Sequence, residues 1–255
     1  MSLLQLKRIT KNFGGLCAVS GISCNLENGS VTGLIGPNGA GKTTVFNLIT
    51  GIYRPDEGEI LFDGHSLLKL RTHQIVARGI ARTFQTIRLF QNLSVLENVL
   101  AGCHCRMSSG VLGSMLHLPG QRREERKALG KALEALSLVG LRSQAEQLSK
   151  NLSYGNQRLI EIARALATEP RVLILDEPAG GMNEQETLDL ITLIGRIRGL
   201  GITVLLIEHD MTLVMRVCEH IIVMEYGRKI AEGPPDEIKR DPKVIEAYLG
   251  AEDEY

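Results

Sequence analysis

The 255-residue sequence has no excess of either charge: 29 Lys and Arg balance 29 Asp and Glu. A dedicated nucleic-acid binder usually carries a basic surplus, so the balance argues against a nucleic-acid partner. No run approaches the roughly 18 apolar residues of a membrane span. The opening "MSLLQLKRIT" is too short and too polar for a secretory leader. The expectation is a soluble protein able to sit on a membrane protein. No internal repeat or low-complexity linker divides the chain. Five cysteines, at 17, 24, 103, 105 and 218, are odd in number and scattered. They fit a reducing compartment, not a disulfide framework. Cys103-His104-Cys105 has metal-binding residue types but lacks the usual ligand spacing and a second half-site. The one basic cluster, 122–127, has acids at Glu124 and Glu125 and reads as a solvated helix face.

What the sequence does have is a 44% hydrophobic content, enough for a sizeable core. Apolar runs predict strands over 31–35, 58–64, 80–84, 172–175, 202–207 and 220–224. Helical periods fall over 43–50, 70–78, 184–198 and 211–218. From about 94 to 168 the texture changes and only helical periods remain: 94–102, 122–139 and 154–168. Ser94 with Glu97 three residues on is a capping-box signature. Strands that are apolar throughout, alternating with helices, imply a mostly parallel sheet covered on both faces. The expected fold is therefore an α/β core interrupted by a helical block. The Gly-, Ser- and Met-rich stretch 103–121 reads as a surface loop or a partner-facing insertion.

The predicted strand 31–35 runs into "GPNGAGKTT", which fits the phosphate-loop pattern in full: Gly36, four residues, then Gly41, Lys42 and Thr43. Gly36, Pro37, Asn38, Gly39, Ala40, Gly41, Lys42, Thr43 and Thr44 are the candidate phosphate-binding residues. Backbone N–H groups must turn inward and approach a polyphosphate closely, so side chains there would clash. The helix after the loop adds its positive N-terminal end. Lys42 reaches the β- and γ-phosphates, and Thr43 is a Mg²⁺ ligand. "RVLILDEP" is a buried strand ending in two carboxylates. Successive strand residues point to opposite sides, so Asp176 and Glu177 have different tasks. Asp176 suits the Mg²⁺ shell. Glu177 is left to polarise an attacking water as general base. His209 ends another buried strand and can bond a γ-phosphate oxygen. Gln85, after "IARTF", can reach both Mg²⁺ and the water.

Taken in order, "GPNGAGKTT", Gln85, "LSYGNQ", "LILDEP" and His209 resemble the ATP-binding subunit of ABC transporters over essentially the whole chain. "LSYGNQ" matches that family's signature at Leu152, Ser153 and Gly155, and departs from it at Tyr154 and Asn156. The resemblance implies a P-loop NTPase (RecA-like) α/β core. It adds an N-terminal antiparallel β-subdomain and an inserted α-helical subdomain at about 91–165. It further implies that Ser153, Tyr154, Gly155 and Asn156 face the phosphate loop of a second ABC ATPase subunit, with ATP between them. That subunit would be the same chain or a paralogue. Phe13 matches the aromatic that stacks on adenine. Asn183 stands where the family usually has an aspartate, which bears on communication between the two sites. "FGGL", "RTFQTIRLF", the insertion, "AGGMN", "LLIEHDM" and "VIEAYLG" look most like the ATPase of branched-chain amino-acid uptake systems. The urea-uptake and lipopolysaccharide-export ATPases carry similar loops. The resemblance implies ATP and Mg²⁺ as cofactors and hydrophobic permease subunits as partners. It also implies an indirect solute-binding protein and a peripheral place on the cytoplasmic membrane face. A soluble ABC ATPase acting on ribosomes or DNA would typically carry two cassettes or a long coiled coil. A phosphate-loop kinase would need an acceptor pocket and an arginine lid.

Overall fold

The computed structural model describes residues 2–103 and 119–249. The chain opens with two long strands, β1 (Ser2–Phe13) and β2 (Leu16–Glu27), followed by β3 (Val31–Ile35) and α1 (Lys42–Ile49). Next come β4 (Glu57–Phe62), β5 (His65–Ser66), α2 (Thr72–Arg78) and β6 (Ile80–Arg82). Among the described residues three α-helices follow: α3 (Val95–Cys103), α4 (Pro119–Leu138) and α5 (Tyr154–Leu166). The pattern then returns to β7 (Val172–Asp176), α6 (Glu184–Gly199), β8 (Thr203–Ile207), α7 (Met211–Val217) and β9 (His220–Glu225). The chain finishes with β10 (Arg228–Gly233), α8 (Pro235–Ile238) and α9 (Pro242–Leu249). Most of His104–Gln121 and the end of "VIEAYLG" lie outside the described residues. Cys103 itself is buried, its thiol donating to the carbonyls of Ala128 and Ala167.

Two sheets form. A six-stranded sheet has the order β10-β9-β3-β8-β7-β6, parallel throughout except for β10 at the edge. A four-stranded antiparallel sheet has the order β2-β1-β4-β5. The parallel strands are apolar throughout because both their faces are covered. Successive residues serve opposite cores: Leu34, Ile174, Ile207 and Ile222 face the antiparallel sheet and α1. Ile35, Leu175, Leu206 and Val223 face the helices on the other side. The period of two within each strand thus fills two hydrophobic cores from one sheet. The second core runs without a break into α3, α4 and α5 through Val99, Leu136 and Ile160.

The Ser94–Glu97 capping box is present: the Glu97 N–H donates to Ser94 Oγ at 3.2 Å and the Ser94 N–H to Glu97 Oε2 at 2.7 Å. The cluster at 123–127 is at the surface. β6 is shorter than the 80–84 run predicts, because the chain turns off after Thr83, whose N–H makes a last ladder bond to Ile174.

Candidate nucleotide site

Parallel strands end on one side of a sheet, and an open α/β sheet presents its crevice there. The carboxyl ends of β3, β7, β8 and β6 lead directly into Gly36, Glu177, Glu208 and Thr83. The candidate residues are therefore gathered by topology before any side chain is considered. Phe13, residues 38–44, Gln85, Glu177 and His209 line a cleft of about 660 Å³; Gly36, Pro37 and Asp176 are not among its lining residues.

The loop between β3 and α1 is shaped by two glycines. Gly36 has φ 146° and Gly41 φ 96°. A side chain at Gly36 would collide with the Met224 carbonyl, and one at Gly41 with that of Ala18. Gly39, at φ 78°, has no neighbour within 4 Å of where a Cβ would stand. Lys42 is the first residue of α1 and is buried; its ammonium donates to the carbonyls of Gly36 at 2.6 Å and Pro37 at 2.8 Å. Burial pulls its pKa below the usual lysine value, with Glu177 and Asp176 acting in the opposite sense. α1 has no side-chain N-cap and no acid in its first turn. Its leading N–H groups and positive end are thus left for an anion. Thr43 and Thr44 stand in the same cleft.

Glu177 follows β7 with φ 48°, a left-handed conformation that costs a non-glycine residue on the order of 1–2 kcal/mol. Its N–H extends the ladder to Ile207 at 2.9 Å, and the turn then aims the carboxylate into the cleft. Gln85 Nε2 donates to Glu177 Oε2 at 2.8 Å, and His209 Nε2 lies 2.9 Å from Glu177 Oε1. Gln85, Glu177 and His209, far apart in sequence, form one cluster. Asp176 is not in that cluster: it is buried and ion-paired to Arg82 at 2.7 Å. Arg82 also donates to Asn47 on α1 at 2.7 Å. Among the described residues, no group of three or more His, Cys, Asp or Glu could hold a metal. A magnesium ion here would therefore share its coordination with phosphate oxygens, as that ion commonly does. Thr43, Gln85 and Asp176 suit it chemically, as oxygen donors.

Phe13 ends β1 at the surface, 41% exposed, with its ring edge-on to Tyr53 at 5.1 Å. It is a cleft residue rather than a core one. None of Ser153, Tyr154, Gly155 or Asn156 lines the cleft. Ser153 caps α5, its Oγ accepting from the Asn156 N–H at 3.3 Å. The Tyr154 ring lies against Gly181, where a Cβ would come within 2.8 Å of it. Asn183 caps α6 and forms a full capping box with Glu186. Asn and Asp serve that task about equally, so the Asn is structurally at home.

Five charged residues beyond the sequence candidates organise the site and its surroundings. Arg82 holds Asp176, as described. Glu208, buried at the end of β8, accepts from the N–H groups of Ala179 at 2.8 Å and His209 at 3.0 Å. Burial pushes its carboxyl above the usual range; the bonds from these N–H groups oppose this, while the nearby Glu177 charge adds to it. Arg158, on α5 and only 2% exposed, donates to the carbonyls of Phe84 and Gln85, each at 2.6 Å, and to the Tyr154 hydroxyl at 3.0 Å. It also meets the buried Glu161 at 3.4 Å, which accepts from the Arg88 N–H at 2.8 Å. Arg164 closes the network, bonding both Glu161 and the Arg88 carbonyl. The signal available was a charge inside an otherwise apolar run: "IARTF", "LLIEHD" and "RLIEIAR".

Residues 19–180 match the family model described as ABC transporter. Residues 228–254 match one described as branched-chain amino acid ATP-binding cassette transporter. The chain is 45% identical over 249 residues to the high-affinity branched-chain amino acid transport ATP-binding protein BraF of Pseudomonas aeruginosa, covering 97% of this chain and 98% of that protein. Its structure is similar to the ADP conformation of the ABC transporter cassette MJ1267, with TM-score 0.86 and 35% identity over 98% of this chain and 99% of that one. It is also similar to the dimeric post-hydrolysis state of the cassette MJ0796 bound to ADP and Pi, with TM-score 0.76 and 26% identity over 91% of this chain and 98% of that one. With its parallel sheet, glycine-shaped loop and gathered Gln85, Glu177 and His209, this chain belongs to the family of ABC transporter ATP-binding proteins.

Proposed function

We propose that this chain is the ATP-hydrolysing subunit of an importer, powering uptake of branched-chain amino acids through separate membrane permeases. The observation that carries the chemistry is the Glu177 carboxylate held between Gln85 and His209 in the cleft of the phosphate loop. ATP lays its phosphates along residues 36–44, and Lys42 exchanges its two loop carbonyls for phosphate oxygens. Thr43 and Gln85 would hold Mg²⁺, with Asp176 in its shell through water, and the bound ion would offset charge on the phosphates. Glu177 takes the proton of the attacking water, and His209 steadies that carboxylate and the γ-phosphate. Phe13 stacks on adenine.

The signature residues Ser153–Asn156 stand outside this cleft. They therefore serve the nucleotide of a second ATPase subunit, so that each ATP joins two protomers. The dimeric MJ0796 relative bound to ADP and Pi supports this reading. It also favours a cycle in which the pair opens as products leave, not as the bond breaks. Free energy enters through the difference in ATP affinity between closed and open pairs. A permease helix docks in the groove near Gln85, Leu89 and Phe90, of which Phe90 is exposed. No described helix is long and apolar enough to cross a membrane, which suits a peripheral subunit on the cytoplasmic face. The solute follows from the likeness to BraF over almost the whole chain and from the match at 228–254. A solute-binding protein acts indirectly, through the permeases.

Glu177→Gln tests the mechanism. The variant should bind Mg-ATP, form a stable dimer and hydrolyse at least about 100-fold more slowly, the scale of a lost general base. A monomer at saturating Mg-ATP would refute the two-protomer clamp. Lys42→Ala should lose ATP affinity. For the solute, leucine uptake by vesicles holding the chain and its permeases should require intact Glu177.

A further inference from the structure

The nucleotide cleft contains a second exposed aromatic that the proposed chemistry does not use. Tyr226 lines it together with Phe13 and Leu16. At 78% it is the most exposed large apolar side chain among the described residues. It sits in the turn between β9 and β10 with φ 43°, a conformation in which a bulky residue is a genuine outlier. The turn around it is firmly held. The Gly227 N–H donates to the Ala40 carbonyl in the phosphate loop at 3.0 Å, and the Gly227 carbonyl accepts from Ser20 on β2 at 2.8 Å. A Cβ on Gly227 would stand 2.8 Å from the Ala18 carbonyl, so the turn is pressed onto β2. The Tyr226 backbone is thus fixed relative both to the phosphate loop and to the strand that begins beside Phe13.

A flat, largely apolar ring held in water on a strained turn gains when another flat surface covers it. We propose that Tyr226 is the second aromatic of the base subsite, stacking on the purine of the nucleotide whose phosphates lie on residues 36–44. Phe13 supplies the other aromatic contact. This rests on the reading of the cleft as an ATP site and names a specificity element within it. Stacking engages the base and not the phosphates, so the two halves of the ligand can be separated by experiment.

The probes are Mg-ATP and Mg-tripolyphosphate, titrated calorimetrically against the full chain. Tyr226→Asn should weaken ATP at least about fivefold, the low end for a lost base–aromatic stack. Asparagine tolerates a left-handed φ, so the variant keeps the turn. Its tripolyphosphate affinity should stay within about twofold, and Tyr226→Phe should bind ATP like the parent. The sequence has no tryptophan. Tyr226→Trp therefore carries a single indole, whose emission should be quenched by ATP and not by tripolyphosphate. The inference is overturned if Tyr226→Asn binds ATP as the parent does, or if it loses ATP and tripolyphosphate equally. A parent that binds tripolyphosphate but not ATP would instead overturn the reading of the cleft, and this inference with it.

Discussion

Replacing Arg158 by methionine keeps an unbranched, flexible stem and removes every polar contact at the tip. Four partners are affected: the carbonyls of Phe84 and Gln85, the Tyr154 hydroxyl and Glu161. Both charges of the Arg158–Glu161 pair are almost fully buried, so the remaining partner cannot be rescued by water. Breaking a buried pair from one side costs about 3–5 kcal/mol. Arg164 still faces Glu161, which holds the figure toward the lower half of that range. About 3–4 kcal/mol is a large fraction of the roughly 5–15 kcal/mol that stabilises a folded domain. At about 2–4 °C per kcal/mol for a chain near this size, thermal unfolding should begin on the order of 10 °C lower. Circular-dichroism melts of Arg158→Met, Glu161→Gln and the double variant close a cycle. The pair should show a coupling of at least about 1 kcal/mol. Melting within about 2 °C of the parent would refute the argument that this network is a structural weld. Turnover should fall as well, because Gln85 loses one of its tethers.

Three further outcomes are expected. Glu208 keeps its proton to higher pH in the native state than in the unfolded chain, since burial raises its carboxyl above the ordinary 4.5. Native protein then binds more protons in the window above that value, and this contribution to stability falls as pH rises through it. Urea midpoints across mildly acidic to neutral pH should show a flatter slope for Glu208→Gln, and parallel profiles would refute the assignment. Gly181→Ala meets both a φ of 78° and the Tyr154 ring, so it should cost about 1–3 kcal/mol in denaturant unfolding; a loss below about 0.5 kcal/mol would show that the ring yields freely. Cys17 is exposed in the nucleotide cleft, whereas burial pushes Cys24 and Cys218 up to about 12. Maleimide labelling mapped by mass spectrometry should mark Cys17 and spare those two, and Mg-ATP should protect it; labelling indifferent to ATP would refute the placement.

How far these features could be read in advance depended on what each element faces. β3, β7 and β8 announce themselves as unbroken apolar runs because water touches neither side of them. β1 and β2 did not, as single runs. Their pairing carries register shifts near Lys7 and Arg8, and exposed residues interrupt the alternation that would mark a strand. β10 is an exposed edge strand with little apolar signal. At the site, Lys42 could be placed by the glycine pattern that follows β3, and Glu177 and His209 by their places just past β7 and β8. Arg82 and Glu208 could not. A buried charge gains its meaning from a partner, and Arg82 meets Asp176 across 94 positions of sequence.

The beginnings of α5 and α6 touch. Tyr154 fills the space that Gly181 leaves, and a side chain at Gly155 would strike Glu186, which is itself locked into the α6 capping box. The two helix starts therefore behave as a single rim, prebuilt before any second protomer arrives. Whatever meets that rim encounters a finished shape instead of two loose ends to be ordered, so little conformational freedom remains to be lost on contact. The tyrosine that departs from the family pattern and the glycine that receives it act as one packing unit. Restoring a glycine at 154 alone would open a gap in the rim, not a return to the common design.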